Sequence, residues 1–245
     1  MKNKYFQLKN RLDKIVKDFE IKDGSIFKNI VELLYDDDVI PLRKLIKVGN
    51  LKIGLDTLIF NMGSAYKCPA DKLGLCKVSD KCYAKKAENQ YWLNTTHYRE
   101  KQAKYWKRLV KANKPEYFAA DLREIITSKN KTSLHKIKFL RLNESGDFYG
   151  QKDIDFLIET CKILAITVPD FIIYTYTARS DLNFSEVLKQ PNLVINGSGF
   201  MIDNNFDTFN HESQLKKNDK LCKGSCTVCK FCKVKKGYDI KIKLH

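Results

Sequence analysis

Seven of the eight cysteines fall into two tight groups. Cys68, Cys76 and Cys82 share one stretch between an apolar run, Leu58-Ile59-Phe60, and a segment from Tyr83 that reads as helix. Cys222, Cys226, Cys229 and Cys232 follow the pattern C-x3-C-x2-C-x2-C. A reducing compartment keeps thiols free, so clustered spacing of this kind points to metal rather than to disulfides. Four thiolates make a closed site, whereas three leave a coordination position open to water or substrate. The x2-x2 run is closer to [4Fe–4S] binding than to paired zinc knuckles. Zinc and iron–sulfur both stay open for the tail, where Lys223, Lys230, Lys233, Lys235 and Lys236 would offset thiolate charge. For the three-cysteine loop the alternatives are a [4Fe–4S] cluster with one free iron or a zinc completed by His97 or a tail thiol. One joint site shared by both groups is a further possibility. Cys161 lies on an apolar helical stripe and reads as core packing.

A second set of polar residues gathers where strands end. Ile137–Asn143 reads as a strand followed by Glu144 and Asp147. Phe171–Ala178 reads as another, carrying Thr175 and Thr177 and closed by Arg179. Leu193–Ile195 reads as a third, followed by Asn196 and Ser198. With Leu51–Met62 ahead of the cysteine loop, the order is strand, helix, strand, helix, strand, helix, strand. That order predicts an α/β fold: a partial (β/α) barrel or open parallel sheet, with a helical N-terminal extension and a Cys-rich C-terminal segment. In such folds sites form at the carboxyl ends of the strands.

The elements that must position these residues follow from periodicity. Residues 1–50 form the helical extension, from the spacing of Tyr5, Leu8, Leu12, Ile15, Val16 and Phe19 and from a second stripe starting beyond Ser25. Asp36-Asp37-Asp38 could bind a hard cation, but it reads better as a solvated helix end. Residues 51–245 form the metal-binding α/β domain. Tyr83 to about Lys129 is helical with a break at Asn113-Lys114-Pro115, and its aromatic residues read better as the face packed on the sheet than as a stacking surface for single-stranded nucleic acid. Residues 151–167 and 184–190 are predicted helices. The apolar run Phe171–Ala178 predicts a strand covered on both faces. Residues 203–210 read as loop, and Ile240–Leu244 as a last strand.

The chain has 245 residues, 43% of them apolar and 30% charged, which suits a globular protein with a sizeable core. No apolar run approaches a membrane span, and the start lacks a signal region, so a cytoplasmic protein is expected. The net charge is +16, from 45 Lys and Arg against 29 Asp and Glu. Lys101–Lys138 holds eleven basic residues and three acidic ones. The excess favours a nucleic acid or nucleotide partner through phosphate neutralisation, with a merely solvated lysine surface as the plain alternative. Nucleotide-loop, dinucleotide and zincin motifs and the nucleophile elbow are absent.

The segments GNLKIGLDTLIFNMG, CPADKLGLCKVSDKCYAKKAE, FLRLNESGDFYGQ and YTYTAR, with the cysteine tail, resemble the phage family known as gene product 88. The Cys-Tyr-Ala ending of the loop also resembles a phage family related to radical S-adenosylmethionine enzymes. That second resemblance implies a [4Fe–4S] cluster, or two, and S-adenosylmethionine as cofactor. Cys68, Cys76 and Cys82 would ligate the cluster, and an electron donor would be needed. Asn143, Glu144 and Asp147 would hold the amino group of the cofactor, while Thr175, Thr177, Arg179 and Ser198 would line the rest of its site. The family spacing C-x3-C-x2-C occurs here at Cys222, Cys226 and Cys229. If the chain is phage-encoded, its compartment would be the host cytoplasm. The rival reading is a zinc-stabilised nucleic-acid-binding protein without catalysis.

Overall fold

The computed structural model describes residues 40–243, apart from the side chains of Trp92 and Leu93. The helices expected over 5–34 and the Asp36-Asp37-Asp38 triplet lie outside the described residues. Pro41 precedes a single helical turn, α1 (Leu42–Leu45), whose Leu42 and Leu45 are buried. Then come β1 (Lys47–Val48), β2 (Thr57–Phe60) and α2 (Pro69–Lys72) within the cysteine loop, followed by α3 (Tyr83–Gln90), α4 (Trp92–Ala112) and α5 (Pro115–Thr132). The second half runs β3 (Phe139–Leu142), α6 (Gln151–Thr167), β4 (Ile172–Thr177), β5 (Leu193–Ser198), β6 (Asn204–Phe209), β7 (Lys220–Leu221) and β8 (Asp239–Lys243).

These eight strands make one open sheet in the order β1-β2-β3-β4-β5-β6-β8-β7. The β1/β2 pair is antiparallel, and the other pairs are parallel. Of the two expected architectures, the open parallel sheet is therefore the one formed. The break between α4 and α5 occurs where the sequence places it. Asn113 closes α4 in the left-handed region at φ 50°, and Pro115 opens α5, where its missing N–H costs nothing.

The two faces of the sheet differ in what covers them. Phe60 of β2 packs on Tyr105 and Trp106 of α4 and on Phe118 of α5, at 6.1, 6.3 and 5.7 Å between ring centres. Trp106 meets Phe156 of α6 edge-on at 5.0 Å. Its indole N–H donates to Asp153, which also accepts from the Gly150 N–H at the start of α6. Cys161, fully buried on α6, belongs to this core as its stripe predicts. The aromatic residues of α4 and α5 thus pack largely inward.

The opposite face carries Thr57, Phe139, Arg141, Tyr174, Tyr176, Val194 and Asn196, as the strand registers require. Its cover is the crossover from β7 to β8, which holds Cys222–Cys232. Lys233 lies 4.0 Å from the Phe139 ring centre and 5.4 Å from that of Tyr174. Asn196 donates to the Cys232 carbonyl and Asn204 to that of Val234. The strand Phe171–Ala178 is covered on both faces as expected, though one cover is a Cys-rich crossover instead of helix.

Three expectations need correction. The strand read over Leu51–Met62 is only Thr57–Phe60, because residues 51–56 turn, with the Gly54 N–H donating to the Asn50 carbonyl. Residues 204–209 are strand β6, not loop, because their backbone pairs with β5 and β8 on both sides despite the polar sequence. Only residues 199–203 link the parallel strands β5 and β6. Parallel pairs usually need a dozen residues or more. The short return works because β6 starts beside the last half of β5. Asp203 also locks the two together, its carboxylate accepting from the Ile195 N–H and its own N–H donating to the Ile195 carbonyl. The helix expected over 184–190 shrinks to a 3-10 turn at Val187–Lys189.

Candidate functional site

The cysteine loop leaves β2 and is pinned at its root by a buried ion pair. Glu88 of α3 is fully buried and accepts from the Ser64 hydroxyl at 2.6 Å, the Ala65 N–H at 2.8 Å and Arg99 of α4 at 2.7 Å. Burial works against its charge, but these donors outweigh it and hold the carboxyl below its ordinary value. Arg99 also donates to the Ala84 carbonyl. The loop's far side is closed by Asp71, which takes hydrogen bonds or charge from Ser79 and Lys85. Sequence reasoning singled out neither Glu88 nor Arg99. The capping of one loop by two successive helices is a tertiary event, and Glu88 in sequence reads as a helix-surface acid.

All eight cysteines are free thiols, and the seven clustered ones are half-buried. Cys68 lies in the field of Cys76 and of Asp147, and Cys76 in that of Cys82. Burial, with Asp147 adding to it, pushes the Cys68 thiol up to about 12. Burial also raises Cys76. The tail thiols form a second coupled set, with Cys232 in the field of Cys222, Cys226 and Cys229. Burial drives Cys232 up to about 12, against a hydrogen bond from the Tyr176 phenol that favours the thiolate. Burial raises Cys226 as well, opposed by the charges of Arg141 and Lys233. Among the described residues no three His, Cys, Asp or Glu side chains yet converge on one point as metal ligands do. The donor set suits a soft metal, and each set shares one neighbourhood. Ligation would require side-chain rotation and loss of the thiol protons. His97, the alternative fourth ligand, is exposed on α4.

The residues predicted at the strand ends separate into two kinds. Asp147, Thr177 and Arg179 come together in a closed network. Asp147 accepts from the Thr177 hydroxyl at 2.6 Å and from the N–H groups of Phe148 and Ala178 at 2.8 and 2.9 Å. Arg179 donates to the Phe148 carbonyl and twice to Asp181. Thr175 is fully buried and donates to the Leu142 carbonyl. These groups stitch β3 to β4 and leave little capacity for a ligand. Desolvation still dominates at Asp147 and raises its carboxyl to about 6 despite the three donors and Arg179. Ser198 is half-buried at the end of β5, facing Phe206 in register.

Asn143 and Glu144 are the other kind. Asn143, the residue after β3, sits at φ 57°, a region that non-glycine residues seldom adopt. It is 6% exposed, and neither its amide oxygen nor its amide nitrogen has a partner. Glu144 is half-buried, its carbonyl accepting from Tyr83, the residue after Cys82. That bond ties the end of the cysteine loop to the β3 rim. Nearby, Gly146 at φ 79° passes so close to the loop's start that a Cβ there would sit 2.9 Å from the Gly63 nitrogen. The cysteine loop and the β3 rim therefore touch at both ends.

The family model described as Gene product 88 matches residues 42–205, a stretch that includes the cysteine loop and the strand-end residues and stops before the Cys-rich tail. No curated protein matches the chain, and no solved structure matches it.

Proposed function

We propose that this chain, which belongs to the Gene product 88 family, is a thiolate-metal protein with two centres on one sheet. The observation that carries the proposal is the grouping of seven half-buried reduced thiols into two sets. In each set the sulfurs lie in one another's field, the loop set beside Asp147 after β3 and the tail set beside Tyr176 of β4. Thiols placed this way without disulfides serve redox or ligand chemistry better than packing. The tail set, with four sulfurs over Tyr176 and Lys233, suits a closed centre that holds the β7–β8 crossover onto the sheet. The loop set, with three sulfurs at the rim, suits a centre open to substrate.

In the finer reading the loop centre is a [4Fe–4S] cluster of the radical S-adenosylmethionine type, and the tail centre is auxiliary. Such a cluster supplies one electron, drawn from an external donor, to a bound cofactor. The chain's own residues would divide the remaining work. Glu144 would hold the cofactor's amino group, since both oxygens of Asp147 are already taken by three donors. Asp147, Thr177 and Arg179 would keep the β3 and β4 ends aligned. Ser198 would stand at the edge of the site. The +16 charge favours a nucleotide or nucleic-acid substrate.

Anaerobic purification followed by iron, sulfide and zinc analysis tests this reading. Iron and sulfide in stoichiometric amounts, with broad visible absorbance, are expected. Zinc alone would replace it with the second reading, a zinc-held nucleic-acid-binding protein whose affinity falls steeply with salt. A metal-free protein that cannot be reconstituted would remove both.

A further inference from the structure

The covered face of the sheet holds a half-buried guanidinium, one of whose nitrogens is buried without a partner. Arg141 projects from β3 onto the face that the Cys-rich crossover covers. Its Nε is buried without a hydrogen-bond partner. Among the described residues no carboxylate comes within ion-pair distance of it, and its guanidinium lies over the Tyr176 ring, 5.3 Å from the ring centre. Burial opposes its charge, while Tyr83, Tyr176, Tyr174 and Glu144 around it favour it. Arg141 favours the Cys226 thiolate by its field, yet no sulfur accepts a hydrogen bond from it.

Its neighbours are unsatisfied too. Tyr174, the direct register partner of Arg141 on β4, is fully buried with a hydroxyl that has no partner. Asn143 follows two residues after Arg141 with both amide atoms unpaired. Eight buried side-chain polar atoms lack partners among the described residues, and four of them belong to these three residues. Scattered orphans are ordinary, but orphans on neighbouring positions beside a half-buried charge mark a place where something polar binds. The missing partner must accept hydrogen bonds from a guanidinium, a phenol and an amide, and it must carry negative charge. A planar or tetrahedral oxyanion meets those needs.

We infer that Arg141, Tyr174 and Asn143 form a binding site for a carboxylate or phosphate group of a small molecule, beside β3 and β4 between the two thiol groups. The site lies beside both proposed centres but does not require either to hold metal.

Titration calorimetry of the full-length protein with inorganic phosphate and with succinate, at fixed ionic strength, tests this. Fixed ionic strength matters because a chain of charge +16 gathers anions generally. One-to-one saturable binding of one of the two anions is expected, and which one binds separates phosphate from carboxylate chemistry. Arg141→Met should weaken it at least tenfold, and should raise the thermal midpoint of the anion-free protein, because a half-buried charge with an unpartnered buried nitrogen has been removed. Tyr174→Phe, which keeps the ring and loses only the hydroxyl, should weaken binding severalfold, and it decides the matter if Arg141→Met does not fold. Absence of binding, or affinity unchanged in these variants, overturns the inference. The titration is repeated on metal-loaded and metal-stripped protein. Binding retained after loading supports the site, whereas loss on loading assigns Arg141 to the thiolate centre and overturns it. Metal analysis of the same samples keeps failure of the metal reading distinct from failure of this one.

Discussion

Asp147 sets burial against hydrogen bonding, and its titration shows which prevails. Its carboxyl is 4% exposed, and three donors together with Arg179 favour the charged form. Desolvation nevertheless moves the folded value from 3.8 up to about 6. Each unit of such a difference corresponds to about 1.4 kcal/mol, so the whole is worth about 3 kcal/mol. Because the folded value is raised, the unfolded chain releases this proton first as pH climbs. The carboxyl's contribution is therefore fully present below 3.8 and is lost progressively as pH rises through about 6. Asp147→Asn removes the titration while keeping the size of the side chain. Urea unfolding of both proteins at intervals from pH 4 to 7 isolates the effect, since the other groups cancel in the difference. Stability of the native protein relative to the variant should fall by about 2–3 kcal/mol across that range, most of it below pH 6. A flat difference would mean that the donors balance desolvation. A difference rising with pH would mean that they win, and the account of the rim would be wrong.

Arg99→Met leaves Glu88 charged and fully buried, and should cost about 3–5 kcal/mol in denaturant unfolding. A cost below 1 kcal/mol would show that the pair does not hold the cysteine loop. Cys226→Ala should lower metal per chain, whereas Cys161→Ala should leave metal content unchanged and cost about 1–2 kcal/mol through the hole left in the α6 core. Equal metal loss in both would refute the division between ligand and core thiols. Metal affinity should rise with pH between about 6 and 8, because Cys68 and Cys232, raised to about 12, must shed protons to ligate. Competition titrations against a chelator over that range measure it, and a pH-independent affinity would contradict thiol ligation.

The alternation of strands and helices, the break at Asn113–Pro115, the core role of Cys161 and the two cysteine groups could all be read along the chain, because each rests on local spacing and backbone preference. The gathering of polar residues at the strand ends was legible too. What those residues do there was not. Asp147, Thr177 and Arg179 look like ligand groups in sequence, and only the register of β3 beside β4 turns them toward one another. Strand β6 is not legible in the sequence, because its pairing comes from neighbours on both sides rather than from its own apolar pattern. Glu88 on a charged helix carries no local sign of its full burial, and Arg141 inside an apolar run carries none of its partial burial. Burial depends on which surfaces the fold brings together, and for those two charges helix packing and the Cys-rich crossover decide it.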